Sequence, residues 1–536
     1  MSTPTKIRTA THRPATRRRR FRHDDPIAVD LFSGFGGLTK AIEIAGFTTI
    51  MAANHNEYKV DVHEANHPHA EHWIADLVNP EAADYHSARD LPAGDLLVAG
   101  VSCVNHSQAN TKKAYEQGLS LFDLEDPEFD ARVTRSERDR ATANCVLHYA
   151  EVHHPNLILV ECTTELTSWG PALPGRSKVG DGSTYRWWLK QFDHLGYHHR
   201  VLYLNSQFFG VPQSRDRLYI AFWDRHLPAP DLEHRPLTHC ASCDDNVEAV
   251  WSWKTGVPPA GTVRYGTQYN YRCPRCRREV VPPMTPSLHA LDLSNLGTRI
   301  GDRKKPLRPT TMARIERCRA RFAQFPAILM PAKGVHGSER HPWRPMATQT
   351  SQQETALLCT GSVFAAHRHN GDGKHLSQPM DTATSTHEKA LLFAAVNNYQ
   401  GAPRSLATPL PTTLASETLG LMAGVVPFRK HTTPTISAEP MPTVTSEQIP
   451  GLLTAEWAAT LADLSVEDCF FRMLGPHEVG RGCGFDTTFP DHEGEFIVWG
   501  SARDQCDGFG NAVSPAVGAW IGSRLRAILH TAEAIA

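Results

Sequence analysis

The apolar run Ile27-Ala28-Val29-Asp30-Leu31-Phe32 is followed at once by Gly34-Phe35-Gly36-Gly37. Leu38, Ala41, Ile42 and Ala45 then recur at helical spacing, and Gly46 closes the helix. A strand this apolar, with Asp30 as its one charged residue, reads as buried on both faces, so helices should cover both sides of its sheet. Further strand candidates run from Thr48 to Ala53, Asp95 to Gly100, Leu157 to Glu161, Val201 to Asn205 and Leu218 to Trp223. Helical stretches separate several of them, including Ala141 to His153 and Thr184 to Leu195. This alternation predicts an α/β fold built on a doubly wound, mainly parallel sheet. In such sheets ligands sit outside the carboxyl ends of the strands. The glycine loop 34–37, Cys103 after the strand ending at Gly100, and Glu161 at its own strand end should therefore face one crevice.

A chain of 536 residues is too long for one core, and its composition shifts along its length. Residues 1–25 are polar, with Arg17-Arg18-Arg19-Arg20, and read as a basic disordered tail. Residues 26–230 carry the first part of the catalytic domain, and 465–536 carry its C-terminal part, ending in a helix from Ala516 to Leu529. Between them, residues 231–464 read as a large, mostly β or irregular insertion. From about 340 to 450 this insertion holds Pro/Thr units. Pro345-Met346-Ala347-Thr348-Gln349-Thr350 is echoed from Pro379, Pro409 and Pro440, at spacings of 34, 30 and 31 residues. A regular period implies repeated supersecondary units. No apolar run is long enough to span a bilayer, and the N-terminal stretch lacks the apolar segment of a signal peptide. A cytoplasmic protein is expected, its twelve cysteines reduced, catalytic or metal-bound rather than disulfide-paired. With a net charge of -2, any field that attracts nucleic acid must come from local patches.

Six segments carry a specific resemblance. Asp30-Leu31-Phe32-Ser33-Gly34-Phe35-Gly36-Gly37 comes first, then Gly100-x-Ser102-Cys103-x-x-His106-Ser107, then Leu159-Val160-Glu161. Gln213-Ser214-Arg215-Asp216-Arg217 follows. Arg472-Met473-Leu474-Gly475-Pro476-x-Glu478-x-x-Arg481-x-x-Gly484-Phe485 and Gly510-Asn511-Ala512-Val513 complete the order. Together they resemble the motifs of the DNA cytosine-C5 methyltransferase family, over roughly residues 25–223 and 468–530. The resemblance implies transfer of a methyl group from S-adenosylmethionine to C5 of cytosine in double-stranded DNA. Cytosine C5 is a poor nucleophile, so the chemistry needs a temporary thiolate bond at C6 and an acid on the N3 edge. It also needs the base flipped out of the duplex.

By this resemblance Cys103 attacks C6, Glu161 protonates N3, Arg217 contacts the cytosine carbonyl and Arg215 supports the site. Phe32, Gly34, Gly36, Asp76 and Asn511 line the cofactor pocket, and Asn54 or His55 stands where the family usually has an acid on the ribose. The chain departs from the pattern elsewhere too. Ser102 replaces a proline, Val104 a glutamine, His106 a phenylalanine, and Cys162-Thr163 the usual Asn-Val after the glutamate.

Cys240-Ala241-Ser242-Cys243 and Cys273-Pro274-Arg275-Cys276 are two Cys-x2-Cys pairs separated by 29 residues. Such pairs close a tetrahedral four-cysteine site for structural zinc, with no position open for catalysis. Arginines flank the second pair, and Arg303, Lys304, Lys305, Arg308, Arg314, Arg317 and Arg319 make a second basic stretch suited to phosphate contacts. The expected protein is a divergent bacterial or phage modification enzyme, acting on duplex DNA as a monomer, with a zinc ribbon inside its target-recognition insertion. An RNA cytosine methyltransferase, a catalytically altered DNA-binding relative, and transfer of a group other than methyl stay open. The target sequence and any cognate restriction nuclease are not legible.

Overall fold

The computed structural model describes residues 25–101, 142–170, 172–256 apart from 174–175, most of 261–322, 344–349, separate strands between 327 and 436, and most of 466–533. Cys103 with its loop, residues 1–24 of the tail, and the repeats from Pro379, Pro409 and Pro440 lie outside the described residues. The chain divides into two compact units. The first comprises Met1–Thr285, Thr348–Gln352 and Val479–Ala536; the second comprises Pro286–Ala347 and Gln353–Glu478.

The first unit is organised by a seven-stranded sheet. In chain order its strands are β1 (Ile27–Leu31), β2 (Thr48–Asn54), β3 (Glu71–Ile74), β4 (Leu96–Gly100), β5 (Leu157–Cys162), β6 (Tyr197–Asn205) and β7 (Asp216–Asp224). Their spatial order is β3-β2-β1-β4-β5-β7-β6. The first five pair in parallel, and β7 enters antiparallel between β5 and β6. The sheet is therefore doubly wound and mainly parallel, as the alternation predicts. Its order reverses between β1 and β4, which opens a crevice at their carboxyl ends.

The helices are α1 (Gly37–Ile44), α2 (Glu57–Asn66), α3 (142–153), α4 (Ser183–Leu195), α5 (Ala502–Asn511) and α6 (Pro515–Glu533). One apolar cluster on one sheet face joins Val29, Leu97, Ile158, Val160 and Phe222 to Tyr149 of α3 and Trp188 of α4. The opposite cluster joins Ala28, Val98, Leu157 and Leu159 to Leu38 and Ile42 of α1 and to Val517, Ile521 and Leu525 of α6. Gly518 and Gly522 let α6 lie close on α1: added β-carbons would fall 2.8 Å from Ala41 and 3.0 Å from Ala45. The C-terminal residues thus return to the first strand, which places the last motif beside the first. Among the described residues no helix is long and apolar enough to cross a membrane.

Two small β-structures follow β7 in the same unit. One is the antiparallel pair Leu237–Cys240 and Asp245–Glu248. The other is a three-stranded sheet of Val250–Trp253, Tyr269–Arg272 and Glu279–Val280. The second unit holds a four-stranded antiparallel sheet in the order Thr298–Arg299, Phe470–Met473, Thr355–Cys359 and Ala327–Pro331. Ile315, from the helix Pro309–Phe322, packs with Ala356, Leu358 and Phe471 in this unit's core. The remaining described strands of the insertion form short pairs and one three-stranded sheet, such as Val363–Ala366 with Lys389–Leu391.

Candidate active site

The turn after β1 is wound tightly. Phe32 has φ 61°, and Gly36 has φ 84°. A side chain as large as phenylalanine in the left-handed region is held there by its surroundings, a condition typical of ligand-binding turns. Ser33 N–H donates to the Ala53 carbonyl at 3.2 Å, and Gly36 N–H to the Ser33 carbonyl at 2.9 Å, fixing the loop onto β2. Gly36 caps α1 without a side-chain hydrogen bond. A β-carbon there would fall 2.6 Å from His67 Nε2, so both conformation and space require glycine. A glycine-rich turn that opens a helix suits the carboxylate or adenosyl end of a nucleoside-type ligand.

The other cofactor candidates stand around this turn's sheet. Asn54 ends β2, is buried, and its Oδ1 accepts the Asn56 N–H at 3.0 Å. Asp76 follows β3, is buried, and its Oδ1 accepts the N–H groups of Val78 and Asn79 at 2.9 and 3.1 Å. Asn511 ends α5 on the surface, where its amide donates to Asp507 Oδ1 at 3.1 Å.

Glu161 lies near the carboxyl end of β5, opposite Gly100 of β4 and Tyr219 of β7. Its Oε1 is 3.1 Å from Arg217 Nε, and both side chains are largely buried. Burial pushes the Glu161 carboxyl above its ordinary range, against the opposing pull of Arg217 and Arg215. A carboxyl whose proton affinity is raised by burial is suited to general-acid chemistry. Arg215 is buried two residues before Arg217. Its Nη1 donates to the carbonyls of Gln349 and Gly510, both at 3.0 Å, and its Nη2 to that of Ala512 at 3.1 Å. Arg215 therefore ties the loop before β7 to the C-terminal turn. Cys162, the unexpected thiol beside Glu161, belongs to the apolar core with Ile158 and Val160 and is a packing residue.

The four cysteines converge. Their Sγ atoms lie within 4.8 Å of one another, with Cys240–Cys276 at 3.6 Å and Cys243–Cys273 at 3.8 Å. A tetrahedron with metal–sulfur bonds of about 2.3 Å has edges of about 3.8 Å. Both Cys-x2-Cys turns end in a residue of left-handed conformation. Asp244 and Arg277, each directly after a second cysteine, have φ 51° and 64°. Cys243 N–H donates to Cys240 O and Arg277 N–H to Cys273 O, both at 3.0 Å. These residues fit a metal held by four thiolates. They lie in the first unit.

Sequence reasoning missed a buried polar network beneath the glycine turn. Thr39 Oγ1 donates to Asp30 Oδ2 at 2.7 Å and lies 2.9 Å from His63 Nε2, while His63 Nδ1 lies 2.7 Å from His72 Nε2. Beside it, buried Glu43 is paired with His67 and His69. Burial alone would raise Glu43, but the two imidazoles hold it down at about 2. The histidines at 63, 67, 69 and 72 were the available signal.

The C-5 cytosine-specific DNA methylase family model matches residues 28–123 and 176–243. Glu161 lies between these segments. Two similar curated relatives are type II methyltransferases of the genus Neisseria. M.NgoBI of Neisseria gonorrhoeae is 27% identical over 226 residues, and M.NlaX of Neisseria lactamica 26% over 228 residues. Each match covers 41% of this chain and 59% of the relative, so the chain spans about three-fifths of their length. Among solved structures, the Dnmt2 methyltransferase of S. pombe aligns with 94% of this chain and 99% of its own, at 11% identity and a TM-score of 0.39.

Proposed function

We propose that this chain, which matches the C-5 cytosine-specific DNA methylase family model over residues 28–123 and 176–243, transfers a methyl group from S-adenosylmethionine to C5 of cytosine in double-stranded DNA. The observation that carries the reading is the buried Glu161–Arg217 pair beside the crevice at which the Phe32–Gly36 turn stands. Phe32, Gly34, Gly36, Asn54, Asp76 and Asn511 are the proposed cofactor residues. Their tight turn, the helix start without a side-chain cap and the buried amide and carboxyl fit an amino acid joined to a nucleoside. That cofactor supplies an electrophilic methyl group.

The chain's own residues do the rest. With the cytosine flipped out, the Cys103 thiolate bonds to C6 and electron density moves toward N3, where Glu161 supplies a proton. Arg217 holds the carbonyl edge and orients Glu161. C5, now electron-rich, takes the methyl group. Water in the cleft takes the C5 proton, the N3 proton returns to Glu161, and the C5–C6 double bond re-forms as the thiolate leaves. The four cysteines bind structural zinc. The enzyme acts as a monomer in the cytoplasm of a bacterium or phage-infected cell.

The test is incubation with labelled S-adenosylmethionine and either duplex DNA or RNA, followed by mass spectrometry of the nucleosides. 5-Methylcytosine in DNA is expected. Label in RNA alone, a different transferred mass, or no label in either polymer would each overturn part of this reading.

A further inference from the structure

We infer that the four-cysteine module is a positioning clamp for the Glu161–Arg217 pair, rather than a reader of DNA sequence. The inference rests on the zinc reading above and extends it. Tyr269 stands four residues before Cys273 and is fully buried. Its hydroxyl donates to Asp216 Oδ1 at 3.0 Å, and the Tyr265 N–H donates to the same oxygen at 3.1 Å. Asp216 directly precedes Arg217. Burial raises the Asp216 carboxyl, and these donors, with Asn205 and Arg217, draw it back.

The same segment grips the other strand of the pair. Thr262 Oγ1 donates to Glu165 Oε1 at 2.9 Å, and Val263 N–H donates to Thr164 Oγ1 at 3.0 Å. Thr164 and Glu165 lie three and four residues beyond Glu161. Residues 262–269 therefore touch the chain just past Glu161 and just before Arg217, the two places that set the separation of the pair. Phe208, Tyr269, Tyr271, Cys240 and Cys273 share one small core. The strands that build it are four residues or fewer, too short to order themselves alone. A metal that joins Cys240 and Cys243 to Cys273 and Cys276 closes this core next to Tyr269. Order at the metal is thereby passed through Tyr269 and Asp216 to Arg217.

The experiment uses the full chain, its zinc content measured on purified protein, and hydrogen-exchange mass spectrometry before and after zinc removal. Zinc removal should speed exchange over 237–280 and also over 161–168 and 214–219, leaving β1 to β3 unchanged. Tyr269→Phe, which keeps the ring and all four cysteines, should loosen 161–168 and 214–219 with zinc retained. Its kcat should fall by up to about tenfold, the scale of one lost hydrogen bond, while duplex affinity by fluorescence anisotropy stays unchanged. Exchange changes confined to 237–280 would overturn the clamp. A Tyr269→Phe protein with altered DNA affinity or target preference but full turnover would also overturn it. Purified protein without zinc would overturn the zinc reading, and wild-type protein without transfer would overturn the methyltransferase reading. In either case exchange at 161–168 and 214–219 in Tyr269→Phe still decides the Tyr269–Asp216 link.

Discussion

Arg217 Nε stands 3.1 Å from Glu161 Oε1, one residue beyond the last paired position between β5 and β7. The arginine crosses from an antiparallel strand to a carboxyl whose own strand belongs to the parallel part of the sheet. It orients the carboxyl, while burial keeps the carboxyl's pKa high. Glu161→Gln preserves shape and hydrogen bonding but removes the transferable proton. Single-turnover methylation should slow by about 100-fold or more, the usual contribution of a general acid, with duplex affinity retained. Unchanged turnover would remove Glu161 from the chemistry.

The raised pKa of Glu161 fixes the direction of its pH dependence. The protonated form is the active acid, and it persists above the ordinary carboxylate range. Activity should fall as pH rises through that elevated value. The same group's stability contribution has the same sign: it is present below the unfolded pKa and lost as pH rises through the folded one. A pH profile of kcat/KM checks this, and the falling limb should vanish in Glu161→Gln.

The contrast between strands and site residues explains what was legible. The β1–turn–α1 unit is readable because apolar periodicity and glycine placement express burial directly. The register of β5 then carries Glu161 to the sheet end without any knowledge of function. Helix α2 escapes the same reading because its buried face includes His63 and Asn66, so no apolar stripe marks it. Its Asn56 cap, whose side chain accepts the Lys59 N–H, was the usable signal. Tyr269 and Asp216 are 53 residues apart in the chain, and no local pattern announces their hydrogen bond. The cysteine spacing foretold the four-thiol cluster, but not its attachment to the strand that carries Arg217.

Arg215 should prove structural. Its guanidinium satisfies the carbonyls of Gln349, Gly510 and Ala512 in a buried setting. Arg215→Met removes the charge and leaves all three acceptors without that donor, a loss of about 3–5 kcal/mol. A lower urea midpoint of unfolding is expected, and loss of cofactor binding with it, since the tethered turn holds Asn511. A variant with wild-type stability and impaired chemistry alone would instead place Arg215 on the base.

Asp30 provides a stability prediction independent of activity. It is fully buried under the glycine turn, and burial raises its carboxyl to about 7 against the hydrogen bond from Thr39. Its Oδ1 has no hydrogen-bond partner among the described residues. His63, the next member of the chain through Thr39, is kept neutral by burial and its neighbouring imidazoles, so it offers no compensating charge. The folded state therefore holds a proton that the unfolded chain releases near 3.8. Stability from this group is present below that value and is lost as pH rises to about 7, by about 4 kcal/mol. Asp30→Asn fixes the neutral form. Relative to wild type, its stability should rise between pH 4 and 7 and level off above, in denaturant titrations at a series of pH values. A constant difference across that range would mean that Asp30 is already ionised in the folded protein at low pH, held by a charge that the Asp30–Thr39–His63 chain does not supply.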